Sequence, residues 1–282
     1  MQCAIIKKMV IEHKWDRLRE LLRGMDGAVL AYSGGVDSSL LLKAASETRG
    51  LHCIAVTAVS ETYPEVELYP AQEFARTLGV MHRILPTEEL SSDAFIRNDP
   101  DRCYYCKKEL FGKLRQIADE AGIPFLLDGS NVDDLADHRP GMTAAREYSV
   151  RSPLIEAEFA KSEIRELAHR LKLPMWDKPS LACLSSRIPY GTRITSDVLK
   201  TIQSAENHLR GLGFHQVRVR HHGETARIEV DRDEFWRVLS EDHSRKITAF
   251  LKELGYTYVC LDLAGYRTGS MNEGVTRSRN AV

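Results

Sequence analysis

The sequence lacks the features that would place it in a membrane or in a secretory pathway. It contains no run of about 18 or more apolar residues, so it predicts no membrane-spanning helix. The segment from Met1 to Lys14 mixes Ile and Val with Lys and Glu, without the apolar stretch and cleavage site of a signal peptide. We therefore expect a cytoplasmic protein without a membrane partner.

A large excess of charge is also missing. Lys and Arg number 39 and Asp and Glu 40, which gives a formal net charge of -1. A chain without a general basic field has no broad surface for nucleic acid. We therefore expect no nucleic-acid partner, and any anion must be bound by local groups.

Cysteine is scarce, with six in 282 residues, which argues against a disulfide framework in a reducing compartment. Cys53 and Cys260 fall in apolar stretches and are predicted to pack in the core. Cys103 and Cys106 form a C-x-x-C pair at a predicted helix start, where they share one face and where the helix N-terminus favours thiolates.

Cys183, in a predicted loop, makes a third sulfur available together with this pair. Three cysteines can hold three irons of a [4Fe–4S] cluster and leave the fourth iron open. A closed zinc site needs a fourth ligand, for which His138 and His82 are candidates. The alternative is three unconnected structural cysteines.

Strands and helices alternate along most of the chain. Apolar runs predict strands at 27–32, 53–58, 82–85 and 124–128, and helical periodicity predicts helices at 8–23, 37–47, 65–78, 104–121 and 161–171. This order is typical of an α/β fold with a parallel sheet covered by helices on both faces. We predict this domain over residues 1–187.

The pattern changes after a Pro- and Ser-rich stretch at 174–189. Helices are predicted at 196–212 and 241–254, and strands at 216–221, 226–230 and 256–262. We therefore predict a smaller α+β domain over residues 188–282, with substrate-binding and oligomerisation roles.

A glycine- and serine-rich loop, Ser33-Gly34-Gly35-Val36-Asp37-Ser38-Ser39, joins a predicted strand to a helix. Such a loop offers backbone N–H groups and the positive end of a helix dipole to an anion. Glycine lets the backbone approach a phosphate, the serines add hydroxyl donors, and Asp37 is placed to help hold Mg²⁺. The lysine of the G-x-x-x-x-G-K-[ST] loop is absent, which excludes a kinase or GTPase loop of that type.

A second loop, Asp128-Gly129-Ser130-Asn131-Val132-Asp133-Asp134, follows a later strand. Ligands of open parallel sheets bind at the carboxyl ends of the strands, where both loops are predicted. Asp133 and Asp134 are therefore candidates to bind Mg²⁺ or shape a pyrophosphate pocket. The alternative is that they only cap a helix.

The first loop resembles the PP-loop of the ATP pyrophosphatase superfamily, and the second resembles the second motif of that superfamily. The resemblance implies cleavage of ATP between its α and β phosphates, formation of an AMP ester on a substrate oxygen, and displacement of AMP by a nucleophile. The residues it implies for nucleotide binding are Ser33, Gly34, Gly35, Asp37, Ser38, Ser39, Asp128, Asn131, Asp133 and Asp134.

Three further sequence motifs make the resemblance specific to one family within this superfamily: N-D-P-D-R-C-Y-Y-C-K, P-S-L-A-C-L-S-S-R-I-P-Y-G-T-R-I and the terminal G-Y-R-T-G-S-M-N-E. The chain resembles the ATP-dependent sulfur transferases of nickel-pincer nucleotide (lactate racemase cofactor) biosynthesis, the LarE family. This implies a pyridinium-3,5-biscarboxylic acid mononucleotide as substrate, thiocarboxylates as products, and a trimeric or hexameric homo-oligomer. Some members sacrifice a cysteine, here Cys183, and others pass on a sulfide bound to a three-cysteine [4Fe–4S] cluster; the presence of Cys103, Cys106 and Cys183 favours the cluster.

Several basic residues are candidates for binding this anionic substrate. Arg218 and Arg220 fall on one face of a predicted strand, and guanidinium groups bind phosphates and carboxylates with two hydrogen bonds. The remaining candidates are Arg187 and Arg193 near Cys183, Lys107 beside the C-x-x-C pair, and Glu206 and Glu229, which could balance charge or bind a metal. The alternative is a solvated charged strand paired with Glu229.

Three other functions share part of these features. A tRNA-thiolating enzyme has the same loop and cysteines but needs a basic surface. An ammonia-using amide ligase related to NAD or GMP synthetases would leave the three cysteines without a role. A nucleotide-binding sensor would bind ATP without releasing pyrophosphate.

Overall fold

A computed structural model describes residues 2–135, 140–179 and 182–267 of the protein. His138 and the end of the terminal motif at 268–273 lie outside the described residues. In chain order the helices are α1 (Gln2–Arg23), α2 (Val36–Glu47), α3 (Leu68–Thr77), α4 (Asp93–Ile96), α5 (Arg102–Glu120), α6 (Gly141–Glu147), α7 (Pro153–Glu156), α8 (Lys161–Arg170), α9 (Ser196–Gly211), α10 (Phe235–Val238) and α11 (Glu241–Glu253). The strands are β1 (Gly27–Ala31), β2 (His52–Val59), β3 (Met81–Pro86), β4 (Phe125–Leu127), β5 (Val217–His222), β6 (Thr225–Val230) and β7 (Tyr258–Leu261).

The first four strands form a parallel sheet in the order β3-β2-β1-β4. The central strand β1 pairs with β2 on one side and with β4 on the other, so Ala28 lies opposite both Cys53 and Phe125. The carboxyl ends of the strands therefore meet at one edge, where the two predicted nucleotide loops begin.

Helices cover both faces of this sheet because its strands are apolar on both sides. Leu30 and Ala55 belong to a core that includes residues of α1, α2, α7 and α8. Val29 and Ile54, one position earlier on each strand, belong to a second core with residues of α5 and α6. Adjacent strand residues face opposite sides, so this double burial confirms the predicted α/β fold.

A second, smaller sheet contains β5, β6 and β7 in that order. β5 and β6 are antiparallel, β6 and β7 are parallel, and α9 and α11 contribute to their apolar core. Cys260 lies on the edge strand β7 between Val259 and Leu261, which pack against this core. The alternation turns Cys260 outward and leaves it exposed, so its predicted core position was wrong, whereas that of Cys53 is confirmed.

The described residues divide into two compact units. Residues of 1–89 and 103–180 form the first, and residues of 90–102 and 181–282 form the second. The chain thus leaves the first unit after Glu89, contributes α4 to the second, and returns at Cys103. The predicted division between residues 187 and 188 did not anticipate this excursion.

The longer elements lie close to their predicted positions, because each has a strong apolar pattern. The short helices α4, α6, α7 and α10 were not predicted, since helices of four to seven residues carry little periodicity. Within the described part of the chain, no helix combines the length and the apolar character needed to cross a membrane.

Candidate active site

The predicted phosphate loop connects β1 to α2 at the carboxyl edge of the sheet. Gly34 has a φ of 75°, and a Cβ at this position would lie 2.9 Å from the Cβ of Ala71 on α3. Gly35 precedes α2 in an extended conformation, with nothing nearer to its Cβ position than the Ser33 hydroxyl at 3.4 Å. The loop therefore needs glycine at 34 for its own conformation, whereas the space beside Gly35 is open to a ligand.

Serine hydroxyls hold this loop closed. The Oγ atoms of Ser33 and Ser38 lie 3.1 Å apart, and each accepts a hydrogen bond of 3.3 Å from a loop N–H, that of Gly35 and that of Ser33. Ser39 is buried and donates to the Tyr32 hydroxyl at 3.5 Å. The hydroxyls and N–H groups of Ser33, Gly35 and Ser38 are thus gathered at a helix N-terminus, which suits a phosphate.

The base of the loop is fixed from the sheet. The Thr57 hydroxyl donates to the Tyr32 carbonyl at 2.7 Å and lies 2.8 Å from His82 Nε2. Burial lowers the pKa of His82 and raises that of Tyr32 to about 12, so both rings are neutral near pH 7. His82, a candidate zinc ligand from the sequence, has a hydrogen-bonding role here.

The second loop follows β4 and lies directly against the first. A Cβ on Gly129 would lie 2.9 Å from the backbone N of Ser38, so only glycine permits this approach. Asp128 accepts hydrogen bonds from the Ser130 N–H and hydroxyl and from the Ser152 hydroxyl at 2.7 to 3.2 Å. Asp128 therefore shapes the loop with its own carboxylate.

The next turn links the second loop to the first. Asn131 Oδ1 accepts from the Asp133 N–H at 3.0 Å, and its Nδ2 donates to Asp37 at 3.4 Å. Asp134 accepts from the Asn131 N–H at 3.0 Å at the start of the short 3-10 helix Val132–Leu135. Asp134 therefore has the helix-capping contact that the alternative interpretation predicted. The structure brings all ten predicted nucleotide residues together in the first unit.

Lys161, which the sequence analysis did not single out, completes this group. Its ammonium group pairs with the Asp37 carboxylate, and its backbone N–H donates to Asp133 at 2.5 Å. Lys161 is the first residue of α8. Because its ammonium group contacts Asp37, it places a positive charge at the phosphate loop. The only sequence signal was a lysine at a predicted helix start, which is too common to indicate a role.

The three cysteines are divided between the units. Cys103 and Cys106 lie within the first five residues of α5 in the first unit, where Cys103 is exposed and Cys106 is half-buried. Cys183 is half-buried in the second unit and directly precedes a short 3-10 helix at Leu184–Arg187. The helix start predicted for the C-x-x-C pair is observed.

Arg187 orders the backbone at Cys183. Its Nη1 donates to the carbonyl oxygens of Ala182 and Cys183 at 2.6 and 3.0 Å, and its Nε and Nη2 donate to Glu206 at 2.8 and 2.9 Å. Arg187 and Glu206 are fully buried. Burial opposes the charge on Glu206, but Arg187 outweighs it and holds the pKa of this carboxyl below its usual value. The geometry favours a positioning role for Arg187.

Arg218 and Arg220 lie on the face of β5 opposite Val217 and Val219, which pack in the core. Arg220 donates to Glu229 at 2.7 Å and to the Ser186 carbonyl at 2.9 Å. Arg218 lies over the Tyr266 ring, and burial together with Arg187 lowers its pKa to about 10.

These arginines differ from the solvated charged strand of the alternative interpretation, because the exposed fractions of Arg218 and Arg220 are 2% and 4%. Glu229 also accepts from Arg227 at 3.1 Å. Glu206 and Glu229 therefore balance buried guanidinium charge, which fits one of their two predicted roles.

The other candidate substrate residues are more peripheral. Lys107, on α5, lies over the Phe111 ring, and Arg193 is exposed with its Nη2 3.8 Å from Asp93. Within 2–135, 140–179 and 182–267, no three His, Cys, Asp or Glu side chains are grouped to hold a metal ion. The Mg²⁺ and iron–sulfur predictions thus depend on the residue types and on the resemblance.

Comparison with known proteins gives relatives that match almost the whole chain. The pyridinium-3,5-bisthiocarboxylic acid mononucleotide synthase of Lactiplantibacillus plantarum is 39% identical over 262 residues, 93% of this chain and 94% of that protein. An uncharacterized protein of Synechocystis is 40% identical over 268 residues, 95% of this chain and all of that protein. No family model matches the chain.

More distant relatives share only part of the chain. A tRNA-specific 2-thiouridylase of Xanthobacter autotrophicus is 29% identical over 191 residues, 54% of this chain and 48% of that protein. This similarity agrees with the paired nucleotide loops and the parallel sheet. The chain therefore belongs to the pyridinium-3,5-bisthiocarboxylic acid mononucleotide synthases, the LarE family of ATP-dependent sulfur transferases within the PP-loop superfamily.

Proposed function

We propose that this protein adenylates the carboxylates of pyridinium-3,5-biscarboxylic acid mononucleotide and converts them to thiocarboxylates. A carboxylate oxygen attacks the α phosphorus of ATP, and pyrophosphate leaves. A sulfur nucleophile then attacks the acyl carbon, and AMP leaves with the former carboxylate oxygen. Adenylation is needed because a free carboxylate is a poor electrophile, whereas thiolate and sulfide are strong nucleophiles near neutral pH.

The observation that carries this proposal is the pairing of the two nucleotide loops. Gly129 approaches the Ser38 N–H so closely that the second loop forms one surface with the start of α2. N–H groups, hydroxyls and the Lys161 ammonium converge there, and such groups stabilise charge developing on pyrophosphate. The relative from Lactiplantibacillus plantarum supplies the substrate class through its name.

Asp37 is the residue proposed to help hold Mg²⁺, which would neutralise charge on the phosphates. Its carboxylate already faces Lys161 and Asn131, so it is suited to a cation. From the resemblance we further propose that the protein is a trimeric or hexameric homo-oligomer. From the residue pattern we propose that Arg218, Arg220 and Arg193 bind the phosphate and carboxylates of the substrate.

For the sulfur source we propose a [4Fe–4S] cluster held by Cys103, Cys106 and Cys183. Two cysteines on one turn of α5 and a half-buried third are chemically suited to ligate it, and the bound cluster would supply sulfide. The competing route uses Cys183 alone. Its Sγ displaces AMP to give a thioester, and loss of the Cα proton then breaks the Cβ–S bond to leave dehydroalanine and the thiocarboxylate.

The test incubates anaerobically purified protein with ATP, Mg²⁺, sulfide and the substrate, and measures pyrophosphate, AMP and product mass. Substrate-dependent pyrophosphate release with a thiocarboxylate product is expected. Asp37→Asn is expected to lose both, while Asp16→Asn, on α1, serves as the control. Pyrophosphate release that responds to tRNA or ammonia, but not to the pyridinium substrate, would replace the proposal by one of its competitors.

Cysteine variants then separate the two sulfur routes. The cluster route predicts iron and acid-labile sulfide in the wild type and their loss in Cys103→Ala, Cys106→Ala and Cys183→Ala. The sacrificial route predicts iron-free protein in which only Cys183 is required and loses the mass of H₂S during turnover. Cys260→Ala is the matched control, because this exposed cysteine belongs to neither route.

A further inference from the structure

Asn98 connects two distant segments of the second unit. It is fully buried with a φ of 61°, a left-handed conformation that asparagine tolerates better than most residues. Its Nδ2 donates to the carbonyl oxygens of Ile188, Pro189 and Thr192 at 3.3, 2.8 and 2.9 Å. Three carbonyls around one nitrogen determine how the side-chain amide is oriented.

The backbone and Arg102 reinforce this connection. The Asn98 and Ile96 carbonyls accept from the N–H groups of Gly191 and Ile194 at 3.0 and 2.9 Å. Arg102 donates from Nη1 to Asn98 Oδ1, and its guanidinium carbon lies 4.6 Å from the centre of the Tyr190 ring. Residues 188–194 are thereby held by side chain and backbone together.

The segment that Asn98 holds continues directly from the Cys183 turn. The Ser186 N–H donates to the Cys183 carbonyl and the Ile188 N–H to the Ser185 carbonyl, at 3.0 and 3.1 Å. Arg187 holds the Cys183 carbonyl, so the turn is fixed at its start by a buried ion pair and at its end by the Asn98 amide.

The charge of Arg102 is unusual for a purely structural contact. Arg102 is 4% exposed, and its described contacts are to neutral groups, an amide oxygen and an aromatic ring. Within the described part of the chain, its Nε is buried without a hydrogen-bond partner. Burying a charge among neutral groups costs free energy, so the retention of arginine at this position points to a function.

We propose that Asn98 and Arg102 are positioning residues for the sulfur-transfer half-reaction, because they fix the segment that sets the place of Cys183. This inference rests on the proposed function. The nucleotide loops belong to the other unit and share none of these hydrogen bonds. Because Arg193 lies in the held segment, adenylation is compared at saturating substrate, where it is expected to stay intact while sulfur transfer is impaired.

Asn98→Asp is the sharpest variant, since Asp has the same size and tolerates the left-handed conformation. The substitution replaces the donating Nδ2 atom by a carboxylate oxygen, which cannot donate to the three carbonyl oxygens and is repelled by them. A misplacement of about 1 Å at a reacting group costs about 100-fold in rate. We expect thiocarboxylate formation to fall by about that factor, with pyrophosphate release in a single turnover at saturating substrate within about two-fold of wild type.

Arg102→Lys keeps the charge but loses the planar group that contacts Asn98 and Tyr190, so we expect a smaller loss in the same direction. Arg97→Lys is the matched control, because Arg97 lies in the same segment with its side chain exposed. A proportional fall of both half-reactions with the melting temperature would show a merely structural role and overturn the inference.

A second measurement does not depend on the substrate. The alkylation rate of Cys183 by iodoacetamide, read by peptide mass, is expected to change about ten-fold or more in Asn98→Asp, while that of Cys260 stays constant. An unchanged Cys183 rate would overturn the inference even if thiocarboxylate synthesis is confirmed. Changed Cys183 reactivity in a protein that makes no thiocarboxylate would refute the proposed function and leave the positioning role standing.

Discussion

Alanine substitutions at two glycines of the phosphate loop and at one glycine outside it test the structure of the loop. Gly34 combines a φ of 75° with a Cβ position 2.9 Å from the Cβ of Ala71. Gly50 has a similar φ of 85° but no atom within 4 Å of its Cβ position. Gly35 has an ordinary φ of -74° and lies in the loop itself. Substituting alanine at each position therefore separates backbone strain, steric overlap and ligand access.

The magnitudes follow from these contacts. A left-handed conformation costs an L-residue about 1–2 kcal/mol, which is the whole effect expected for Gly50→Ala. Gly34→Ala adds a carbon–carbon contact well inside the optimum of about 3.5–4.0 Å, for which overpacking adds about 1–3 kcal/mol. Gly35→Ala is expected to cost less than about 1 kcal/mol as a helix-cap change, yet its methyl group occupies the space beside the phosphate.

The assay is thermal unfolding with and without ATP and Mg²⁺. Each kcal/mol lost lowers the melting temperature by about 2–4 °C, and saturating ATP raises it in any variant that still binds. We expect Gly34→Ala to melt below Gly50→Ala, and both Gly34→Ala and Gly35→Ala to lose the ATP-dependent shift. Equal melting temperatures for Gly34→Ala and Gly50→Ala would refute the steric reasoning, and a full ATP shift in Gly35→Ala would refute the placement of the phosphates.

Three further predictions concern buried and paired charges. Glu206→Ala leaves the Arg187 guanidinium buried without its partner, so unfolding by urea should show a loss of about 3–5 kcal/mol, with a smaller loss in Glu206→Gln. The pKa of Glu206 lies below its usual 4.5 in the folded protein. Its ionisation therefore stabilises the fold above pH 4.5, and this stabilisation is lost as the pH falls through the folded pKa. The difference in unfolding free energy between wild type and Glu206→Gln should accordingly shrink in acid. Lys161→Met leaves Asp37 without its cation, so calorimetry should show ATP binding weakened by about 10- to 100-fold, and an unchanged affinity would exclude Lys161 from the phosphate site.

Elements with a strong local pattern could be predicted from the sequence. The strand before Ser33 and the strand before Asp128 are short apolar runs, and a parallel sheet necessarily brings their carboxyl ends to one edge. The meeting of the two nucleotide loops was therefore predictable, although the close approach of Gly129 to Ser38 was not. The exposure of Cys260 was missed because an apolar run does not indicate which face of an edge strand is covered.

Contacts between residues far apart in the chain could not be predicted. Lys161 meets Asp37 across 124 positions, and Asn98 meets Pro189 across 91. Neither pair has a local pattern that distinguishes it from an ordinary lysine or asparagine. Arg187 is only four positions from Cys183 in the sequence, but its complete burial depends on Glu206, a partner provided by a different helix.

The excursion of residues 90–102 into the second unit has a consequence for biosynthesis. At about 5–20 residues per second, the ribosome needs several seconds after making Asn98 to deliver the carbonyls that this residue binds. During that interval Phe95 and Ile96, which end up 2% and 8% exposed, have no native core to enter. By then every strand of the first unit's sheet has been synthesised, so this unit can fold while the thirteen-residue segment 90–102 still lacks the core of the second unit. Nascent chains stopped before residue 181 should therefore present this apolar segment to chaperones and proteases, a vulnerability that ends only when the second unit emerges.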